Sequence, residues 1–198
     1  MIDPALGQPN GSLAFEAVSA LIRQRRTSML VDPHRPVPAD VLHHLCELAQ
    51  WAPNHKRTWP WRFSVFVESG RARLGEALVA DTRERGPCDD QIAEKLVAKY
   101  QRTPAVLVVG AATADLPVRR LENRDAVAAG VQNILLGASA LGLASYWASP
   151  PAGAGRRTLE LCGFEPETRI VAIVYLGWAA GSPAAPTRPS VALKVVDR

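Results

Sequence analysis

No stretch of the 198-residue chain is apolar over the roughly 18 to 20 residues that a membrane-spanning helix needs, so no membrane span is expected. Residues 1–10 hold Asp3 and two prolines, with neither a basic start nor an apolar stretch, and so do not read as a signal peptide. Cysteine is scarce: Cys46, Cys88 and Cys162 are odd in number, scattered, and form no Cys-x-x-Cys pair. That argues against a disulfide framework and for a reducing, cytoplasmic setting. The glycines form neither Gly-x-Gly-x-x-Gly nor Gly-x4-Gly-Lys-Ser/Thr, so a Rossmann fingerprint and a P-loop are both missing. His43 and His44 are adjacent on a helix and point about 100° apart, and no His-Glu-x-x-His spacing occurs; no metal site is expected.

What is present is ordinary globular material. Hydrophobic residues make up 47% and charged residues 21%, which excludes a disordered chain. The net charge is +4, carried by 19 Arg against only 4 Lys. Arginine suits bidentate phosphate contacts, so a phosphate-bearing ligand is a reasonable partner. Most of these arginines alternate with acids, as in Arg71-Ala72-Arg73-Leu74-Gly75-Glu76, and read as solvated helix faces. There is no helix-turn-helix signature and no aromatic-interleaved basic patch, so nucleic acid is not an expected partner.

Periodicity predicts helices over 12–26, with Ser12 as N-cap and Phe15, Val18, Leu21 and Ile22 on one face, and over 39–51. Trp61 to Val67 alternates apolar with polar and predicts a half-buried strand. Charged amphipathic segments at 70–85 and 89–101 predict two more helices. Ala105 to Val109 is continuously apolar, as in a strand buried on both faces. Residues 121–141 predict the longest helix, apolar nearly all round from Ala126 to Leu141 and therefore central. A short strand near Ser145–Trp147, a helix near 155–162 and a last strand at Ile170–Leu176 complete the regular elements. No repeat or linker divides the chain. The expectation is one α+β domain over 1–198, built on a mixed, mainly antiparallel sheet flanked by helices. It has a flexible N-terminus over 1–11 and an extended arm over 179–198.

Two segments carry most of the chemistry. Arg25-Arg26-Thr27-Ser28 closes the first helix with two guanidinium groups and two hydroxyls, a dense donor cluster. Ala52 to Trp61 (Ala-Pro-Asn-His-Lys-Arg-Thr-Trp-Pro-Trp) joins a helix to a strand and is rich in donors and aromatic rings. Arg-Arg-Thr, then Ala-Pro-x-His-Lys-x-x-x-Pro-Trp about 27 residues later, resembles the FMN-dependent nitroreductase family, most of all its short bacterial NAD(P)H nitroreductase branch. Gly137-x4-Gly142-x4-Trp147-x-Ser149 and Tyr175-Leu176-Gly177 continue the pattern in family order.

The resemblance implies a nitroreductase-like fold and an FMN-dependent NAD(P)H oxidoreductase. NADH or NADPH would be the co-substrate and a nitroaromatic, quinone or similar small-molecule electron acceptor the oxidant, in ping-pong turnover. Flavin N5 would carry the chemistry, so no catalytic side chain is expected. The family also holds flavoproteins with other tasks: flavin-consuming, dehalogenating or cofactor-sequestering. By the resemblance Arg25, Arg26 and Thr27 contact the FMN phosphate, ribityl chain and pyrimidine edge, and Arg188 serves the phosphate. His55 matches a flavin-contacting position, and Trp51 stands near the place of a branch arginine. Gly137 to Gly142 match the nicotinamide segment, and Trp147, Ala148 and Ser149 match the stretch beside the flavin. Trp59, Trp61 and Trp147 are candidate walls. The family's common Asn-x-Gln-Pro-Trp reads Arg57-Thr58-Trp59-Pro60-Trp61 here, and Met29 stands where a basic residue is frequent. A homodimer that exchanges its C-terminal arms, with both chains lining each flavin, is the implied assembly.

Overall fold

The computed structural model describes residues 9–149 and 154–197, with side chains from residue 13 onward. Helix α1 (Pro9–Gln24) and helix α2 (Ala39–Ala49) lead through a 3-10 turn (His55–Arg57) into β1 (Trp61–Val67). Then come α3 (Gly70–Arg85), α4 (Asp90–Tyr100), β2 (Ala105–Ala111), α5 (Pro117–Ala140), β3 (Leu143–Ala148), α6 (Arg156–Cys162) and β4 (Arg169–Trp178). The strands form one sheet in the order β1-β2-β4-β3, and every pairing is antiparallel. The parallel component of the expected mixed sheet is a single bridge between Thr27 and Ser145.

Because successive strand residues face opposite sides, β2 and β4 feed two separate cores. Leu107, Val109, Val174 and Leu176 pack with Leu45 of α2 and with Val127, Val131 and Ile134 of α5. Val106, Val108, Ile173 and Tyr175 pack with Leu74 and Leu78 of α3 and with Cys162 of α6. Helices on both faces explain why both central strands are apolar without alternation. Helix α5 is the central helix that its sequence predicts.

The structure corrects the local picture of α1 and β1. Helix α1 begins at Pro9, so Ser12 lies inside it and does not cap it; proline is well suited to a first helical turn, where its missing N–H costs nothing. The expected N-terminal segment 1–11 lies outside the described residues as far as residue 8. Helix α1 also ends at Gln24, which puts Arg25 and Arg26 just beyond its last turn. Its apolar face is not buried: Leu13, Phe15, Val18 and Ile22 are exposed, since little besides α5 lies against this helix. In β1 burial does not alternate. Trp61 and Phe66 are buried on opposite faces, while Val65 and Val67, on the Trp61 side, stand open. Helix α2 covers only the Trp61 end of that face. The other end opens into an apolar groove of about 820 Å³ lined by Val37, Leu42, Phe63, Val65 and Val67.

Helix α6 is held by a carboxylate from elsewhere in the chain. Asp81 of α3 is 2% exposed, and its oxygens accept from the backbone N–H of Gly155 (2.7 Å), Arg157 (3.0 Å) and Thr158 (3.0 Å) and from the Thr158 hydroxyl (2.6 Å). These are the otherwise unpaired donors of a helix N-terminus. Burial by itself would raise the Asp81 carboxyl, but the bonds from Thr158, Gly155 and Arg157 outweigh it and hold the group below its ordinary value. A carboxylate depressed in the folded state stabilises above its unfolded pKa of about 3.9, and that contribution disappears as pH falls through the folded value. Asp81→Asn is therefore expected to cost roughly 1.5–3 kcal/mol at pH 7, the scale of hydrogen bonds to a charged group. In urea unfolding the gap from wild type should narrow steadily below pH 4. An equal gap at pH 7 and pH 3 would show that the charge is irrelevant.

Candidate active site

Beyond α1 the chain runs against the β3 edge. Thr27 bridges Ser145, and the Ser28 N–H donates to the Ser145 carbonyl at 2.9 Å. The Asp32 N–H donates to the Trp178 carbonyl at 2.9 Å, and the Ala180 N–H at the start of the arm donates to the Leu30 carbonyl at 3.0 Å. These bonds seat Arg25 and Arg26 beside the strand that carries Trp147 and Ala148, with Ser149 directly after it. Trp147 and Ser149 are exposed and Ala148 is half-buried.

The arm brings a third guanidinium, that of Arg188, within electrostatic range of Arg25. Partial burial lowers the Arg25 pKa first, and repulsion from Arg26 and then from Arg188 lowers it further. The Arg26 guanidinium folds back onto the carbonyls of Arg23 and Arg25. Among the described residues none of the three arginines has an acidic partner. Three like charges gathered without a counter-charge work against folding and make the local potential favourable to an anion.

The second segment is built quite differently. Lys56, Arg57 and Trp59 all adopt positive φ (62°, 52° and 49°), which costs of order 1–3 kcal/mol for each non-glycine residue. Such a loop persists only where its surroundings over-determine it. Asn54 supplies the first restraint: its Oδ1 accepts from the Trp59 N–H at 3.0 Å, and its Nδ2 donates to the Thr58 Oγ1 at 3.0 Å. The Thr58 hydroxyl donates to the Asn123 Oδ1 at 2.6 Å, and the Asn123 Nδ2 donates to the Ala112 carbonyl at 3.0 Å. Asn123 lies on α5 and is 3% exposed, so the chain of bonds ties the loop to the core. The sequence reading missed this residue; its only signal is a lone amide just before the apolar half of the longest helix.

The side chains raised on this loop face outward. Trp51 is 85% exposed and Trp59 59%, and His55, Lys56 and Arg57 are exposed too. Trp61 differs: it is buried, so it belongs to the core and not to a ligand wall. Its ring supports Trp59 from beneath, with centroids 6.2 Å apart.

The two segments stand at opposite ends of the sheet. The loop feeds β1 at one edge and at its Trp61 end, while Thr27 rides on β3 at the other edge, level through Ser145, Leu176 and Ala105 with Val67. The two are therefore about 14 Å apart across the strands and about 20 Å along them. Within one chain, then, Arg25, Arg26 and Thr27 lie at the β3 edge with Arg188 near enough to repel Arg25, Trp147, Ala148 and Ser149 lie farther along that strand, and Trp51 and His55 stand apart at the β1 edge. Gly137 packs against α2: a Cβ there would lie 2.7 Å from the Leu48 Cδ1 and 3.0 Å from the Leu45 Cδ2. Gly142 turns the chain from α5 into β3 at φ +80°, beside a cleft of about 140 Å³ that Arg26 and Ser28 also line.

A four-stranded antiparallel sheet between two helical layers, with an arginine cluster at its β3 edge that has no acidic partner among the described residues, defines an α+β domain of the nitroreductase type. The sequence model of the Nitroreductase family matches residues 22–178, and the chain belongs to that family. It is 29% identical over 175 residues to YfhC of Bacillus subtilis, a protein named for an inferred NAD(P)H nitroreductase activity; the match covers 86% of this chain and 89% of YfhC. The solved structure of a nitroreductase-like family protein from Bacillus cereus superposes with a TM-score of 0.76 at 27% identity, over 87% of this chain and 91% of that one. A Bacteroides fragilis nitroreductase solved with bound FMN has the same fold, with a TM-score of 0.70 at 20% identity over 91% and 98% of the two chains. No helix among the described residues is long and apolar enough to cross a membrane.

Proposed function

We propose that this protein is an FMN-dependent NAD(P)H oxidoreductase that reduces nitroaromatic, quinone or similar acceptors in ping-pong turnover. The observation that carries this reading is the arginine cluster at the β3 edge: Arg25 and Arg26 lead into the Thr27–Ser145 bridge, Arg188 is near enough to repel Arg25, and none has an acidic partner among the described residues. A dianionic phosphate on the cofactor answers that charge. Its neighbours fit the rest of FMN. The hydroxyl of Thr27 suits a ribityl or ring-edge contact, and Trp147 to Ser149 offer an open strand end for the ring to lie against. When bound, FMN supplies hydride transfer at N5, which no side chain of this chain can perform. Overall, one NAD(P)H and one proton would convert a nitro group to a nitroso group and water, or a quinone to its hydroquinone.

Two copies of the chain complete the pocket in this reading. Trp51 and His55 stand too far from Arg25 to meet the same ligand in one chain, and a two-fold partner could bring its own loop across. The outer edge of β3 is occupied by Thr27, whereas β1 has no outer strand partner among the described residues. Residues 179–197 run past Leu30 and Arg25 of their own chain and contain no regular element. The arm of a second copy would pair with the open β1 edge and fill the 820 Å³ groove beside it.

The reading is tested by purifying the protein with FMN and varying NADH or NADPH against several acceptors. Because nicotinamide and acceptor occupy one place in turn, the double-reciprocal plots should be parallel. Lines that intersect for every acceptor would mean a ternary complex. A protein that takes up no FMN would overturn the assignment altogether.

A further inference from the structure

We propose that the Lys56–Trp59 ledge selects acceptors that are both aromatic and anionic; this inference rests on the flavin reading above and names the substrate class for that site. The argument begins with charge. Arg62, the nearest arginine on β1, is neutralised by Glu165 through paired contacts at 3.0 Å. That guanidinium holds the Glu165 carboxyl down at about 2. Lys56 and Arg57 have no such partner among the described residues, and both are exposed. Two uncompensated cations on adjacent residues raise the local potential for an incoming anion.

The ring comes next. Trp59 rests on the buried Trp61 and leaves its other side to solvent, so it can present an aromatic surface to a planar acceptor. Arg62 also donates to the Trp59 carbonyl at 3.3 Å, and Asn54 accepts from the Trp59 N–H, so the backbone beneath the ring is held on both sides. Positive φ at three of four consecutive residues is an unfavourable way to build a plain connection between a helix and a strand. It keeps the two cations and the ring on one short, rigid segment. Both Arg57 and Trp59 replace amides in the pattern this loop resembles, so the ledge is a property of this chain.

The test compares 4-nitrobenzoate with its neutral methyl ester, using NADH and the FMN-loaded dimer of wild type, Arg57→Asn and Trp59→Gln. Differences in intrinsic reactivity between the two acceptors cancel when the ratio of their kcat/KM values is compared across variants. Arg57→Asn should lower the anion-to-ester ratio by about tenfold, the scale of one charge-assisted contact, mainly through a higher KM for the anion. Asparagine tolerates positive φ, so the fold should survive that change. Trp59→Gln should raise KM for both acceptors alike and leave the ratio in place. Rising salt should erode the wild-type ratio more steeply than that of Arg57→Asn, which keeps only Lys56. An unchanged ratio in FMN-loaded Arg57→Asn overturns the ledge and leaves the flavin reading standing. Wild type without FMN overturns both.

Discussion

Removing residues 190–198 is expected to convert the protein from a dimer, at twice the 21.4 kDa of one chain, to a monomer, and to release flavin in the same step. The apolar residues of the arm explain the size of the effect. Val191, Leu193, Val195 and Val196 are each more than three-quarters exposed within one chain. Burying a side chain of this size fully stabilises by roughly 1.5–3 kcal/mol. A dimer that exchanges two arms would draw on eight of them, together with whatever covers Phe15, Val18 and Ile22 of α1. Losing only ~3 kcal/mol of that sum raises the dissociation constant about 100-fold. Light scattering with simultaneous absorbance at the flavin band reads both changes. Wild-type monomer holding stoichiometric FMN would rule out the shared pocket.

The second large effect falls on Arg25. Arg25→Ala should weaken FMN by roughly 1.5–3 kcal/mol, the scale of a hydrogen bond to a charged group. The same substitution should leave the stability of the flavin-free protein unchanged or raise it. The sign follows from the charge environment: burial and the repulsion of Arg26 and Arg188 disfavour the charged Arg25 in the folded state, so removing it relieves the apoprotein. Thermal unfolding with and without added FMN separates the two terms. The variant should show the smaller FMN-induced rise in Tm beside an undiminished apo Tm. Full FMN retention would remove Arg25 from the phosphate site, and a large fall in apo Tm would mean that the residue is structural.

The local sequence determined most of the elements of this protein. Amphipathic periodicity, proline and glycine are local signals, and they mark β1, α3 and α6 within a residue or so. The Arg25-Arg26-Thr27 triplet and residues 54–59 also stood out locally, as runs of donors and rings without apolar periodicity, whereas the burial of Trp61 at the end of the same loop did not. What lay beyond sequence depends on partners far along the chain. Nothing near Asp81 says that its carboxylate caps a helix 74 to 77 residues later, and nothing near Thr58 points to Asn123, 65 residues on. The amphipathic pattern of α1 reports that one face is apolar, not whether the same chain covers it. Above all, strand order is a tertiary fact. Only the sequence β1-β2-β4-β3 across the sheet puts the two chemical segments at opposite edges, because hydrogen bonding between strands is blind to where the chain goes next. The residues of the two segments were written locally; their separation was decided by the pairing of the strands.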